Sequence, residues 1–181
     1  MSSTIMMKEN QVFKILRDET LACLSNFNLT PEKDGVDVRR FSQANVVTGD
    51  KIVLLNLVSV QRIGWQASNY KSSERIDEWI EEQSWQFSCI KKMLKSDTQT
   101  TVSADDMCNM LIAWYNGVGN LNLRMKGIAN TPIDPTSILV YNDDSDLYQR
   151  RPVFTMDLQV PKWLVTTSGS TDILVQNHML P

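Results

Sequence analysis

The sequence predicts an α+β domain, with an antiparallel or mixed sheet of about four to five strands, including a long hairpin, packed against two helices. Three observations predict it. Two separated segments carry apolar residues at helical spacing, several others alternate apolar and polar residues with a period of two, and two of those alternating segments follow one another directly. The 181 residues, 42% of them apolar, suffice for one sizeable core. We expect one domain over residues 1–163 and a C-terminal extension over 164–181.

The first helix spans residues 8–27, where Val12, Leu16, Thr20, Cys23, Leu24 and Phe27 recur on one face and Lys14, Arg17, Asp18 and Asn26 fall elsewhere. It ends before Thr30-Pro31, and residues 31–35 read as a loop. A short extended piece follows over 36–41, then a turn at Thr48-Gly49-Asp50. Residues 51–63 are aliphatic on both alternating sets, with Ile52, Leu54, Val58 and Val60 on one and Val53, Leu55 and Leu57 on the other, so this strand is central and covered on both faces near its start. From Gly64 to Ser73 the residues are small and polar, as at a hairpin tip. Trp85, Phe87 and Cys89 then alternate with Ser84, Gln86 and Ser88, which marks a returning strand within 76–93. The acidic stretch 75–82 fits a strand slightly better than a helical turn.

Ser103 with Asp106 three residues on is a capping box, so a second helix starts there, with Met107, Met110, Leu111 and Trp114 as its stripe and Asn116-Gly117 as its stop. Leu121, Leu123 and Met125 alternate with Asn122, Arg124 and Lys126 and predict a strand. A short strand at 137–141 and an acidic turn at 142–146 come next. The last strand is the clearest, with Phe154, Met156, Leu158 and Val160 on one side and Thr155, Asp157 and Gln159 on the other. After Trp163 the chain is rich in Thr, Ser and Gly up to an apolar patch at Ile173, Leu174 and Val175.

Chemistry is sparse. The net charge of -3 and a pI near 5.2 offer no basic stripe to neutralise a run of phosphates. The single histidine, His178, stands three residues from the last, where no catalytic triad or multi-histidine metal site is expected. No phosphate-binding glycine loop is present, and Gly117-x-Gly119 lacks the third glycine of a dinucleotide turn. Asp143, Asp144 and Asp146 lack the glycine and closing glutamate of a calcium loop. Glu81 and Glu82, as strand neighbours, point to opposite faces and do not converge. Cys23, Cys89 and Cys108 show no paired spacing and read as core residues. No cofactor, no metal and no enzymatic activity are expected. Neither a leader nor a run of about 20 apolar residues is seen, so no membrane partner is expected and the chain should be made in the cytosol.

The order helix, long hairpin, helix, strands, with Tyr148-Gln149-Arg150-Arg151-Pro152 leading straight into the strand that starts at Val153, resembles the neck or tail-terminator (head-tail joining) proteins of tailed bacteriophages over residues 36–160. Their pattern also has a strand like 52–63 with an apolar start and a basic end, here Gln61-Arg62, and a following strand like Gln83-Ser84-Trp85-Gln86-Phe87-Ser88. The acidic segment 77–82 and the C-terminal extension depart from that pattern, so partner contacts are not carried over there. The resemblance implies a structural virion protein whose ring, usually of six subunits, joins the tail tube to the head connector and leaves a channel through which DNA passes without specific binding. Its partners would be copies of itself, the tail-tube protein and the head-connector or adaptor protein, and its place the virion neck after assembly in the host cytoplasm.

A ring needs different patches to meet head to tail. Tyr148, Arg150 and Arg151 are candidates for one side, facing Asp143 and Asp144, or Glu81 and Glu82, on the neighbour. A channel that lets DNA slide is acidic or neutral, and Glu78, Glu81, Glu82, Asp105 and Asp106 are candidates to line it. Two rival readings stand beside this one: another head-completion or tail-tube component, and a small ligand-binding domain with a pocket roofed by Trp65, Trp79 and Trp85.

Overall fold

The computed structural model describes residues 3–5, 7–43, 50–71, 74–91, 101–133, 137–142 and 148–167. Three long strands form its frame: β3 (Lys51–Lys71), β4 (Glu74–Lys91) and β7 (Tyr148–Thr167). β4 lies between the other two and is antiparallel to both. Beyond β3 lies β2 (Val36–Arg40), whose parallel pairing makes the sheet mixed. Three short strands share the far edge of β7: β6 (Ser137–Asn142), β5 (Ala129–Asn130) and β1 (Ser3–Ile5). The α+β class and the long hairpin are as the sequence predicts.

One face of the inner sheet is apolar through strand alternation. Val53 and Leu55 of β3, Trp85, Phe87 and Cys89 of β4, and Phe154, Met156, Leu158 and Val160 of β7 all point to it and are buried. Against them pack α1 (Glu9–Asn26) through Val12, Leu16, Cys23 and Leu24, and α3 (Ala104–Asn116) through Met107, Cys108, Leu111 and Tyr115. Phe87 stacks on Phe154 with ring centroids 4.6 Å apart and tilts against Tyr115 at 5.4 Å, which ties helix to sheet. Ile52, Leu54 and Ile90 form a small second cluster on the opposite face, so β3 is buried on both sides near its start. The capping box at α3 is present: Ser103 Oγ accepts from the Asp106 amide at 3.1 Å and Asp106 Oδ2 accepts from the Ser103 amide at 2.9 Å.

Three expectations need correction. Residues 31–34 are not loop but one helical turn, α2 (Pro31–Asp34), capped by Thr30 and closed by Gly35 at φ 58°. The hairpin does not turn at Gly64. Both strands continue to Lys71 and Glu74, and Gly64, at φ 72°, falls in an irregularity where three residues of β3 face Trp79 alone. The small polar residues there mark an exposed strand, not a tip.

The third correction is residues 118–125, which form helix α4 (Val118–Met125) rather than a strand. Only Gly119 and Leu123, four residues apart, are buried; Leu121 and Met125 are exposed. Three alternating residues fit either period, and tertiary contact decides. A Cβ on Gly119 would lie 2.4 Å from Trp114 Cδ1, so glycine permits α4 to close against α3. The indole of Trp114 in turn donates to Glu19 Oε1 at 3.0 Å, Asn122 of α4 donates to the same oxygen at 2.6 Å, and Lys126 lies 3.4 Å from Glu19 Oε2. One buried carboxylate of α1 therefore joins three helices. The expected turns at 48–49 and 143–146, the patch at 173–175 and His178 lie outside the described residues.

Removing this carboxylate strands three donors, so Glu19→Ala should cost about 3 kcal/mol in urea denaturation. Gly119→Ala should cost about 2 kcal/mol by displacing Trp114. Cys23, Cys89 and Cys108 are buried, and burial pushes the Cys23 thiol up to about 12. Alkylation followed by mass spectrometry should therefore be slow for all three in the folded protein and fast in denaturant.

Candidate assembly interface

Past Leu57 the frame outgrows its helices. Val58 is inserted between the Leu57–Trp85 and Ser59–Ser84 pairs, and from there to Lys71 every β3 side chain is exposed except the half-buried Ile63. At about 3.3 Å per residue, these 14 residues extend roughly 45 Å along the strand. β4 and β7 accompany them, with Glu74 paired to both Lys71 and Thr167 at the far end, and β1 flanks β7 through Leu164, Val165 and Thr166. The result is an arm of sheet, pleated continuously with the core.

The arm's two faces differ. On the face continuous with the helix side, alternate residues of β4 form a hydrogen-bonded row. Trp85 Nε1 donates to Gln83 Oε1 at 3.1 Å, Gln83 Nε2 to Glu81 Oε2 at 3.2 Å, and Trp79 Nε1 to Glu81 Oε1 at 3.2 Å. Lys162 crosses from β7: it is 6% exposed, its ammonium is 3.4 Å from Glu81 Oε2, and it also donates to the Met7 carbonyl ahead of α1. Arg62 lies 4.5 Å over the Trp79 ring. Farther out, Asp77 accepts from Ser68 at 2.5 Å and from Arg75 at 3.0 Å. Burial alone would push the Glu81 carboxyl up. The donors Trp79 and Gln83 and the charge of Lys162 outweigh it and hold Glu81 below the usual carboxylate range.

The opposite face carries Glu74, Glu78 and Glu82 alternating with Ile76 and Ile80 along β4, beside Ile63 of β3 and Pro161, Trp163 and Val165 of β7. Here the chain forms an open concavity of about 510 Å³ lined by Ile63, Trp65, Glu78, Ile80, Pro161 and Trp163 among others. Trp65 is 98% exposed at its rim.

The acidic candidates therefore do not form one group. Glu78 and Glu82 share a face, Glu81 is turned to the other and held by Lys162, and Asp105 and Asp106 lie in the first turn of α3, where Asp106 serves the cap. The three tryptophans do not roof a common pocket: Trp85 is core, packed on Phe13, whereas Trp65 and Trp79 both border the arm concavity. Tyr148, Arg150 and Arg151 open β7 and pair with Asn142, Val140 and Leu139 of β6, while Asp143 and Asp144 lie outside the described residues. Lys162, unremarked in the sequence, could have been found there, since it keeps the parity of the apolar Leu158 and Val160. Among the described residues no three His, Cys, Asp or Glu side chains gather as a metal site would need, and no helix is long and apolar enough to cross a membrane.

No protein-family model matches the sequence, and no curated protein matches it. Among solved structures, the chain superposes on the PVC sheath/tube terminator of an extracellular contractile injection system in its extended state, with a TM-score of 0.50. This is a terminator-like fold. The match shares 11% of residues and takes in 91% of this chain and 59% of the terminator, so the likeness is one of architecture and this chain spans about three fifths of the other's length.

The lowered Glu81 carboxyl has a consequence for the arm. A group whose folded value is depressed stabilises above its unfolded value and loses that contribution as pH falls through the folded one. Protection factors across β1 and the 158–167 half of β7, corrected for the pH dependence of intrinsic amide exchange, should fall as pH is lowered through the carboxylate range, and Glu81→Gln should flatten that dependence.

Proposed function

We propose that this chain is a structural subunit of a terminator ring, about six copies by its likeness to phage neck proteins, that closes the end of a tail tube and leaves an axial channel. The observation that carries this reading is the terminator-like architecture, matched over nearly the whole chain, with a long arm of sheet that leaves the body. In a tailed phage the ring would join the tube to the head connector while DNA passes through; in an injection system it would cap tube and sheath. Its work is done by contacts between subunits and not by catalysis.

Arg150 and Arg151 remain candidates for one side of the subunit contact, with Asp143 and Asp144 on the next copy. An acidic or neutral channel suits a passing polyanion, since repulsion lowers friction against phosphates. With Glu81 held by Lys162 and Asp106 engaged in the cap, Asp105 at the start of α3 is the better candidate to line the channel.

Negative-stain imaging of the purified chain, alone and mixed with its particle's tube protein, tests the reading. Single closed rings with a central hole, one at a tube end, are expected. Long cylinders built from this chain alone would instead identify a tube protein.

A further inference from the structure

Two exposed apolar patches lie on different sides of the molecule, one flanked by basic and the other by acidic side chains. The first is the outer face of α4. Val118, Leu121 and Met125 fall within about 60° of one another at 100° per residue, and all three are exposed, Met125 by 80%. Arg124 and Lys126 flank this stripe, and residues 118–126 contain no acid. Arg124 makes no ion pair among the described residues, and the Lys126 ammonium is partly open beside Glu19. The second patch is the arm concavity with its apolar wall of Ile63, Ile80, Pro161 and Trp163. Glu74, Glu78 and Glu82 run along it at four-residue spacing, each about 13 Å from the next, and neither Glu74 nor Glu78 has an ion pair among the described residues. The stripe on α4 is about 11 Å long.

We propose that α4 of one copy seats in the arm concavity of the next, Leu121 and Met125 entering between Ile80 and Trp163 while Arg124 and Lys126 meet Glu78 and its neighbours on that row. This rests on the ring reading and supplies its contact. A molecule cannot close the contact on itself, because α4 packs on the helix side of the sheet and the glutamate row faces the other way. The two patches therefore meet between copies, head to tail, as a closed ring requires. Apolar contact gives the association and the charged flanks select its partner and register.

The double variant Ile80→Cys/Leu121→Cys tests it directly, since the three native cysteines are buried and contribute little background. Oxidation of the assembled protein should give a ladder of covalent oligomers on denaturing gels. Arg124→Glu and Glu78→Arg should each weaken assembly by about tenfold or more in light scattering, with circular dichroism unchanged, and the two together should restore it. Rings that form without a ladder and ignore both charge reversals overturn this contact and leave the ring standing. A chain that neither assembles nor cross-links overturns the contact as well, and the images of tube ends then decide the ring by themselves.

Discussion

The structure depends on one constraint: β4 is hydrogen-bonded on both sides for nearly its whole length. From Glu74 to Ser88 its residues are paired to β7, and nearly all of them to β3 as well. A central strand paired on both edges resists bending, because two ladders would break together everywhere except at Trp79, where the ladder to β7 alone runs through. The pleat that sets Phe87 against Phe154 in the core therefore also fixes where Glu82 and Glu78 point, five and nine residues farther out. The arm inherits its orientation from the core and needs no helix beneath it.

Two buried charges finish this arrangement at the places where apolar packing ends. At the base of the arm, Lys162 binds Glu81 and the Met7 carbonyl, linking β4, β7 and the entry to α1. Among the helices, Glu19 gathers Trp114, Asn122 and Lys126. A buried ion pair adds modest net stability but penalises every arrangement that leaves one partner alone, so its main contribution is to select one geometry. Lys162 holds Glu81 on the helix side of the arm, apart from Glu78 and Glu82, and Glu19 holds α4 so that its apolar stripe looks outward.

A protein built this way has its polar chemistry invested in position. Ionisable side chains with hydrogen-bonded partners lie on the arm, at a helix cap and at a three-helix junction. The proposed seating of a basic apolar helix in an acidic apolar groove would give a ring contact its direction.

The local periods in the sequence determined the elements whose apolar residues repeat over several turns or pleats. Val12 to Leu24 in α1, Trp85 to Cys89 in β4, Phe154 to Val160 in β7 and the Ser103 cap were legible because each signal is self-contained. The period of two did not settle Leu121, Leu123 and Met125, since three residues fit a helix as well as a strand, and Gly64 reads alike as a tip or as a bulge. Those positions were decided by tertiary contact: Gly119 against Trp114, Asn122 and Lys126 on Glu19, and the partners of Ile63 and Ala67 across β4. The separation of Glu81 from Glu78 and Glu82 followed from alternation, but the hold of Lys162 on Glu81 did not, because which charge meets which depends on strand order. Sequence carries the periodicity of a chain, and only the folded sheet brings residues 81 and 162 within reach of each other.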